Sequence, residues 1–428
     1  MHQFTEKKRI RIFGFTSPVV LLLAIGGSSL VLGQGKNGAY YTGAYENLFV
    51  GLIGKSELEV KTKIDSAFDQ LFFGDDVTQR VYYPDGSDMA YVKDIGNADV
   101  RTEGMSYGMM IAVQMDRKDV FDRLWKWAST YMQFKNGPRE GYFSWHCRTD
   151  GAKLDSSTAS DGEEWFTMSL FFASARWGDG TGIFDYRKQG QDILNTMVHK
   201  ESEPGHDDVT DLFNPKDHLV VFVPDAQGSR FTDPSYQLPH YYELWARWAD
   251  EDNRFWCDAA AASRQLLENA ADSTTGLSPD YCQFNGKTVG WWPGRHEDFR
   301  FDAWRVAMNT AMDYEWFRAD DWEVTECNRL LAFFSSQGVN EYVNQFTLDG
   351  KKLGGDHSKG LVAMNAVAAL ACTTENRKNF VKALWDSRVP SGLYRYYDGM
   401  LYMMALLQVS GNFRIYDPTG KPTPACGK

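Results

Sequence analysis

Three acidic side chains stand where apolar helices are predicted to begin. Glu103 lies in RTEGMSYG, Asp161 in DGEEWF and Asp302 in RFDAWR, and each run leads into a stretch with few charges. If these helices alternate with outer helices in a ring, their N-termini share one end and the three carboxyl groups converge there. Acidic residues also cap free backbone N–H groups at helix starts, so capping alone explains any one of them.

Two carboxyl groups that flank a sugar–sugar bond are what glycosidic hydrolysis requires. One must be protonated so that it can donate to the leaving oxygen, and the other must be ionised so that it can activate water. A helix N-terminus favours an ionised Asp302. A proton donor at Glu103 needs burial or nearby negative charge. Asp161 would either supply that charge or hold the sugar ring in a distorted shape.

Apolar residues recur at helical spacing from residue 56 onward, and Gly, Pro, Asp and Asn separate the periodic stretches. The pattern predicts helices over 56–71, 102–116, 118–134, 161–176, 186–198, 236–250, 254–270, 302–317, 321–336, 358–373, 375–386 and 398–410. Short turns between several of them indicate antiparallel pairs. Nearly uncharged helices alternate with helices that carry a charged face. This alternation predicts an all-α fold, an (α/α)6 double-ring helical barrel with the apolar helices inside.

The segments between these helices include several long loops, and function usually lies on long ordered loops of a rigid scaffold. The runs 81–83 and 219–223 are β-like, so minor short strands are expected there. The loop 289–298 holds Trp291 and Trp292 shortly before Asp302. These two rings either border a cleft or anchor the loop to the core.

The composition narrows the class of ligand. The chain has 428 residues, a formal net charge of −12 and 14% aromatic residues. Its acidity opposes binding to a nucleic acid, whereas neutral sugars stack well on Trp and Tyr rings. The six cysteines have no zinc-type spacing and do not indicate a disulfide framework. Cys257 and Cys372 lie in apolar helical stretches and are typical of core packing.

The two ends differ from the middle of the chain. Residues 1–35 start with basic side chains and continue into an apolar segment, which favours a signal peptide over an N-terminal anchor. A wrongly assigned start codon is a third interpretation. A cleaved signal peptide predicts a secreted or periplasmic protein with no stable membrane span, and a cytoplasmic protein is the alternative. The catalytic barrel is predicted over 36–416, followed by a flexible tail over 417–428.

The motifs around the carboxylates resemble those of glycoside hydrolase family 8. In chain order they are RTEG with the following YG, DGEEW, DPSY, FDAWR, and YRYYDG with the later SGNF. The likeness extends over residues 38–416. It implies an (α/α)6 barrel, an inverting mechanism, and neither a metal nor another cofactor.

The resemblance also implies roles for individual side chains. It makes Glu103 the general acid and Asp302 the general base, and it places Asp161 beside the sugar in subsite −1. For substrate binding it implies a tyrosine near that sugar, a stacking tryptophan on the donor side, an arginine that orients carboxylates and a further tyrosine: Tyr236, Trp145, Arg305 and Tyr397.

Within the family, the runs 99–110 and 113–119 are most similar to the reducing-end xylose-releasing exo-oligoxylanases. In those enzymes a loop histidine closes the cleft beyond subsite +1, and His357 lies at the matching place, although its neighbours differ from the usual Leu-His-Pro. The resemblance implies release of xylose from the reducing end of β-1,4-xylo-oligosaccharides. An endo-β-1,4-xylanase, a non-catalytic saccharide-binding protein and a helical-barrel lyase are the alternatives. The sequence does not predict the oligomeric state.

Overall fold

The computed structural model describes residues 37–420 and Cys426. Helices dominate this part of the chain, and they run as α1 (Ala39–Thr42), α2 (Leu48–Ile53), α3 (Glu57–Phe73), α4 (Thr102–Gln114), α5 (Lys118–Trp127), α6 (Ser160–Trp177), α7 (Tyr186–His199), α8 (Pro239–Trp248), α9 (Asn253–Ala270), α10 (Trp304–Phe317), α11 (Trp322–Ser336), α12 (Lys359–Ala368), α13 (Arg377–Asp386) and α14 (Tyr397–Val409). All twelve predicted helices are present as α3 to α14. The short helices α1 and α2 were not predicted, because each is too brief to show a helical period.

The long helices form two concentric rings. In the inner ring α8 packs on α10, α10 on α12, α12 on α14, α14 on α4, and α4 on α6. Helix α6 meets α8 through the rings of Trp165 and Tyr241, whose centroids lie 5.1 Å apart. Each inner helix also packs on one outer helix, in the pairs α4–α5, α6–α7, α8–α9, α10–α11, α12–α13 and α14–α3. The predicted (α/α)6 double-ring barrel is therefore confirmed.

Burial explains which helices lie inside. Every residue of α10 is buried, and in α4 Glu103 is the one residue that is not. Outer helices bury one stripe, as α5 does with Val120, Phe121, Leu124 and Trp125, and point their charges outward. Burial of one large apolar side chain stabilises the fold by about 1.5–3 kcal/mol. The uncharged sequences therefore favour the inner ring because no other position buries all their faces.

Three short antiparallel strand pairs lie on the barrel. They pair β1 (Tyr82–Asp85) with β2 (Met89–Val92), β3 (Val100–Arg101) with β4 (His146–Cys147), and β5 (Gln345–Phe346) with β6 (Lys352–Gly354). The strand expected at 81–83 is present as β1. Residues 219–223, which the structure describes, form a loop instead of the expected strand. In this loop Val220 forms one isolated bridge with Phe213. Its apolar residues are buried by packing, as Leu219 is against α9, rather than by pairing in a sheet.

A disulfide corrects the prediction that Cys257 packs in the core. Cys257 on α9 forms a disulfide with Cys426, so Cys257 is not a core-packing residue and the predicted flexible tail is tied to the barrel at Cys426. The spacing did not reveal this pair because the two residues are 169 positions apart. Cys372 is free and buried, as expected. The predicted signal peptide lies outside the described residues, and among the helices that are described none is long and apolar enough to span a membrane.

Candidate active site

A cavity of about 420 Å³ opens where the first turns of α4, α6 and α10 meet. Glu103 and Asp161 lie in the first turns of α4 and α6, and Asp302 directly precedes the start of α10. All three carboxyl groups line the cavity. The cavity also contains the side chains of Arg101, Trp145, Phe222, Tyr236, Tyr281, Trp292 and Arg305.

A glycine follows each of the first two carboxylates and allows neighbouring elements to approach closely. A Cβ atom at Gly162 would lie 2.5 Å from the Cβ of Thr102, so the start of α6 packs directly on the start of α4. A Cβ atom at Gly104 would lie 2.5 Å from the ring of Tyr396. Both distances are shorter than a carbon–carbon contact. Glycine is therefore required at both positions for the carboxylates to meet.

One buried arginine joins the three carboxylates. Nη1 of Arg305 donates to Asp161 at 2.7 Å, to Glu103 at 3.3 Å and to the hydroxyl of Tyr107 at 3.0 Å. Nη2 donates to Asp302 at 3.0 Å. Charge-assisted hydrogen bonds to a rigid guanidinium fix geometry as well as charge. Glu103 and Asp302 thus bind different nitrogens of the same planar group.

The environment of Glu103 favours its protonated form. Burial raises the pKa of Glu103 to about 7, and the negative charges of Asp161 and Asp302 act in the same direction against Arg305. The hydroxyl of Tyr396 donates to Oε1 of Glu103 at 3.1 Å. Asp302 is the more open member of the pair, with 32% of its side chain exposed against 20% for Glu103. The site therefore combines a carboxyl group that holds a proton near neutral pH with one that water reaches.

Aromatic rings form the walls of the cavity. Trp145 stacks on His146 with centroids 3.7 Å apart, at an interplanar angle of 11°. Tyr236 lies parallel to Phe222 at 6.0 Å, and the edge of Phe222 meets Trp292 at 5.6 Å. Trp292 therefore both borders the cavity and anchors its loop. Aromatic faces of this kind suit the apolar faces of sugar rings.

A family model that matches most of the chain identifies its family. The model of the glycosyl hydrolases family 8 matches residues 84–411, which include all of the cavity residues named above. The chain belongs to glycosyl hydrolase family 8. The resemblance read from the motifs is therefore confirmed.

Relatives within family 8 cover nearly the whole chain. The reducing-end xylose-releasing exo-oligoxylanase Rex8A of Paenibacillus barcinonensis is 47% identical over 386 residues, which is 89% of this chain and 98% of the relative. The reducing end xylose-releasing exo-oligoxylanase of Halalkalibacterium halodurans is 43% identical over 390 residues, with 90% and 97% covered. The structure of Rex8A complexed with xylose has a TM-score of 0.85 at 46% identity, and the match covers 89% of this chain and all of that one.

A family 8 xylanase of Teredinibacter turnerae is equally similar in structure. A catalytic mutant of it in complex with xylohexaose has a TM-score of 0.85 at 46% identity, with 89% of this chain and 100% of that chain covered. The overall likeness therefore does not separate the exo-oligoxylanases from this xylanase.

Two residues predicted to bind substrate lie apart from the cavity lining. The hydroxyl of Tyr397 donates to the carbonyl of Phe301 at 2.7 Å, next to Asp302. His357 is exposed on the loop before α12, where its Nδ1 lies 2.8 Å from the carbonyl of Tyr342. Its ring meets the ring of Tyr342 edge-on at 4.6 Å. The cavity lining thus brings together Glu103, Asp161, Asp302, Arg305, Trp145 and Tyr236. Tyr397 lies close enough to Arg305, Glu103 and Asp302 for their charges to act on its hydroxyl, and His357 lies on the loop before α12.

Sequence reasoning missed part of the polar layer beneath the cavity. Asp233 and Asp280 are buried, and burial, with the charge of Asp302, raises the pKa of both, that of Asp280 to about 6. Asp233 occurs in the DPSY motif, which signals the family but not this position. Asp280 lies in a loop with no periodic pattern, so nothing local pointed to it. Among the residues that the structure describes, no group of three or more His, Cys, Asp or Glu side chains is arranged to hold a metal ion.

Proposed function

We propose that the protein is an inverting glycoside hydrolase that releases xylose from the reducing end of β-1,4-xylo-oligosaccharides. The observation that carries the proposal is the pair Glu103 and Asp302, held by one guanidinium in a sugar-sized, aromatic-walled cavity. The substrate class is supported by the relatives, three of which are named reducing-end xylose-releasing exo-oligoxylanases at 47%, 43% and 38% identity.

Glu103 acts as the general acid. Because burial raises its pKa to about 7, it holds a proton under neutral and weakly acidic conditions. It donates that proton to the glycosidic oxygen as the bond from this oxygen to C1 breaks. Tyr396 and Arg305 fix the carboxyl group from two sides, so the proton is directed into the cavity.

Asp302 acts as the general base. A water molecule attacks C1 from the face opposite to the leaving oxygen, and its proton passes to Asp302 as the new C1–O bond forms. The products are two sugars, one with inverted configuration at C1. Asp161 binds the same Nη1 of Arg305 as Glu103 does, and it stabilises positive charge on the ring of the sugar in subsite −1. Inversion requires the two carboxyl groups to be roughly 6.5–9.5 Å apart, which leaves room for the attacking water.

The exo mode of action depends on the acceptor side of the cleft. We propose that His357 and its loop limit the cleft to one sugar beyond the cleaved bond. An endo-β-1,4-xylanase is the second candidate, since a xylanase is equally similar in structure and His357 does not line the cavity. The two candidates share the same catalytic groups and differ in where the chain of sugars must end.

Product analysis separates these candidates. We expect xylotriose to give xylose and xylobiose, and proton NMR to show the α-anomer first at the new reducing end. Reduction of the substrate's terminal sugar to an alditol should abolish cleavage. Rapid internal cutting of long xylan would favour the endo-xylanase, and the β-anomer as first product would contradict inversion. Glu103→Gln is the control, because hydrolysis that is unchanged in this variant comes from a contaminant and favours a non-catalytic binding protein.

We also propose that the protein is exported from the cytoplasm. The basic and apolar residues at 1–35 have the composition of a signal peptide. The disulfide between Cys257 and Cys426 supports this, because such bonds persist in oxidising compartments. N-terminal sequencing of the protein recovered from the periplasm or medium tests the proposal. Recovery of the full-length chain from the cytoplasm alone would contradict it.

A further inference from the structure

Asp280 lies beneath the active site and takes no part in the steps above. Its side chain is buried in the loop between α9 and α10. Oδ1 accepts the backbone N–H of Ala303 at 3.2 Å, and Oδ2 lies 3.3 Å from Nδ1 of His296. Asp280 therefore joins the residue next to Asp302 to a loop that borders the cavity.

Helix α10 depends on this contact at its start. Ala303 is its N-cap residue and has no side chain that could cap the helix, and the first turn contains no acidic residue. Helix starts leave backbone N–H groups unpaired and favour a negative charge nearby. Asp280 supplies both the acceptor and the charge from 23 residues earlier in the chain. Since Asp302 precedes this helix and Arg305 lies in its first turn, the same contact fixes the backbone that bears both.

His296 is built into the same unit. Its ring stacks on Tyr281 with centroids 3.9 Å apart and an interplanar angle of 17°. The carbonyl of His296 accepts the N–H of Tyr281 at 3.0 Å. These contacts aim Nδ1 at Asp280, and the same loop brings Trp292 to the cavity wall.

The charges around Asp280 are unbalanced without the histidine. Asp302 is a negative group close enough to disfavour the Asp280 anion, and Asp280 in turn disfavours the anion of Asp233. The guanidinium of Arg305 lies 4.0 Å from the carboxylate of Asp233. The hydrogen bond and charge of His296 oppose this effect.

We propose that Asp280 is a positioning residue for the general base. His296 holds Asp280 in place, and Asp280 fixes the start of α10 so that Asp302 faces the attacking water. The proposal rests on Asp302 as the general base of the proposed function. It assigns Asp280 no contact with the substrate.

Two variants separate the hydrogen bond from the charge. Asp280→Ala removes both, and we expect kcat to fall by as much as about 100-fold with little change in KM, the usual effect of a base misplaced by about 1 Å. Asp280→Asn keeps an acceptor for Ala303, so kcat should fall less. In Asp280→Asn the pH profile of kcat/KM should also change near pH 6, because Asp280 can no longer ionise there beside the base.

Glu315 provides a matched control at the other end of α10. It is also a buried carboxyl group that accepts a backbone N–H, that of Glu46 at 3.0 Å. Glu315→Gln should leave kcat and the pH profile unchanged, even if the melting temperature falls. If both Asp280 variants behave like Glu315→Gln in kcat and pH profile, Asp280 is merely structural and the proposal is overturned. Should Asp280→Ala fail to fold, the kcat and pH profile of Asp280→Asn decide alone.

The assays use both xylotriose and long xylan. A wild-type protein that cuts only long xylan would overturn the exo mode but leave the comparison of the variants valid on that substrate. A wild-type protein inactive on both would overturn the proposed function, and the role of Asp280 with it.

Discussion

Two buried arginines organise carboxylates in this barrel, and they affect those carboxylates in opposite ways. Arg264 on α9 binds Asp313 through two hydrogen bonds of 2.6 and 2.8 Å and Glu243 through one of 3.0 Å. Although burial opposes it, this pairing holds the pKa of Asp313 below its ordinary value. Arg305 binds three carboxylates, and the pKa of both Glu103 and Asp161 is raised by burial despite the arginine.

The difference lies in how fully hydrogen bonds and charge compensate each anion. Asp313 has two guanidinium nitrogens to itself and a further hydrogen bond with the side chain of Glu323, so its anion is compensated. Glu103 shares Nη1 with Asp161 and meets the further charge of Asp302. A group that must hold a proton near neutral pH needs such incomplete compensation. The same chemistry is thus structural around Arg264 and catalytic around Arg305.

Removal of the proton donor should have the largest effect. Glu103→Gln should lower kcat by about 10²–10⁴-fold, the usual contribution of a general acid. It should not lower the melting temperature at alkaline pH, because it removes a buried charge that the fold compensates poorly. Steady-state kinetics and thermal unfolding at pH 8 test both parts. A large loss of stability would mean that Glu103 is compensated like Asp313.

Removal of the structural arginine should destabilise without a specific loss of catalysis. Arg264→Met leaves the buried Asp313 without its cationic partner, while Glu243 keeps Arg247, so the free energy of unfolding should fall by about 3–5 kcal/mol. The kcat of the remaining folded protein should stay close to the wild-type value. Arg254→Met is the matched control on α9, since its ion pair with Asp258 is exposed and contributes about 0–1 kcal/mol. Equal effects of the two variants on urea unfolding would contradict the comparison.

The pH dependence should differ in sign between the two regions. Glu103 loses its proton as the pH rises through about 7, so kcat/KM should fall above that pH. The pKa of Glu103 is raised from 4.5, so the protonated side chain contributes to the stability of the fold below pH 4.5. This contribution is lost as the pH rises towards 7. For Asp313, whose pKa is lowered, stability is present at neutral pH and is lost on acidification below the ordinary value of 3.8. Unfolding of wild type, Glu103→Gln and Asp313→Asn across pH would show whether the two slopes have opposite signs.

The smallest expected effect concerns the wall of the cavity. Trp292→Ala should raise KM for xylotetraose, by up to roughly tenfold if about 1.4 kcal/mol of binding is lost, and should change kcat little. Trp291→Ala is the control, because its ring is 56% exposed and does not line the cavity. These two variants sharpen the comparison of the two arginine sites, because substrate length should affect the kinetics of variants around Arg305 but not those of variants around Arg264. Equal KM values for both variants would show that Trp292 only anchors its loop.

The helices were predictable because their signal is local. The inner helices α4, α6, α12 and α14 lack charges over about three turns, and an outer helix such as α5 shows one apolar stripe, so much of the alternation of rings can be read from the chain. The structure brings Glu103, Asp161 and Asp302 together because they stand at the same ends of alternate helices. Their catalytic roles remain predictions, as do those of the substrate-binding residues.

The parts that could not be predicted depend on distant partners. Asp280 binds Ala303 from within an irregular loop, and Cys257 pairs with a residue close to the C-terminus. Residues 219–223 look like a strand because they are apolar and rich in valine, yet Leu219 packs on α9 while Phe222 and Val223 line the cavity. A sequence pattern shows how one segment distributes its polar and apolar residues. It does not show which distant segment will contact them, and these three features depend on that contact.

Closure of the inner ring has a consequence for how the protein is made. Helix α14, the last of the barrel, packs against α4, the first inner helix, and Tyr396 reaches Glu103 across 293 positions of the chain. During synthesis, Glu103 is therefore exposed to water and behaves as an ordinary acid until the final helix leaves the ribosome. Contacts between such distant segments slow folding and leave unfinished apolar surfaces open to aggregation. A chain that stops before α14 would consequently lack catalysis even with every carboxylate of the site already translated.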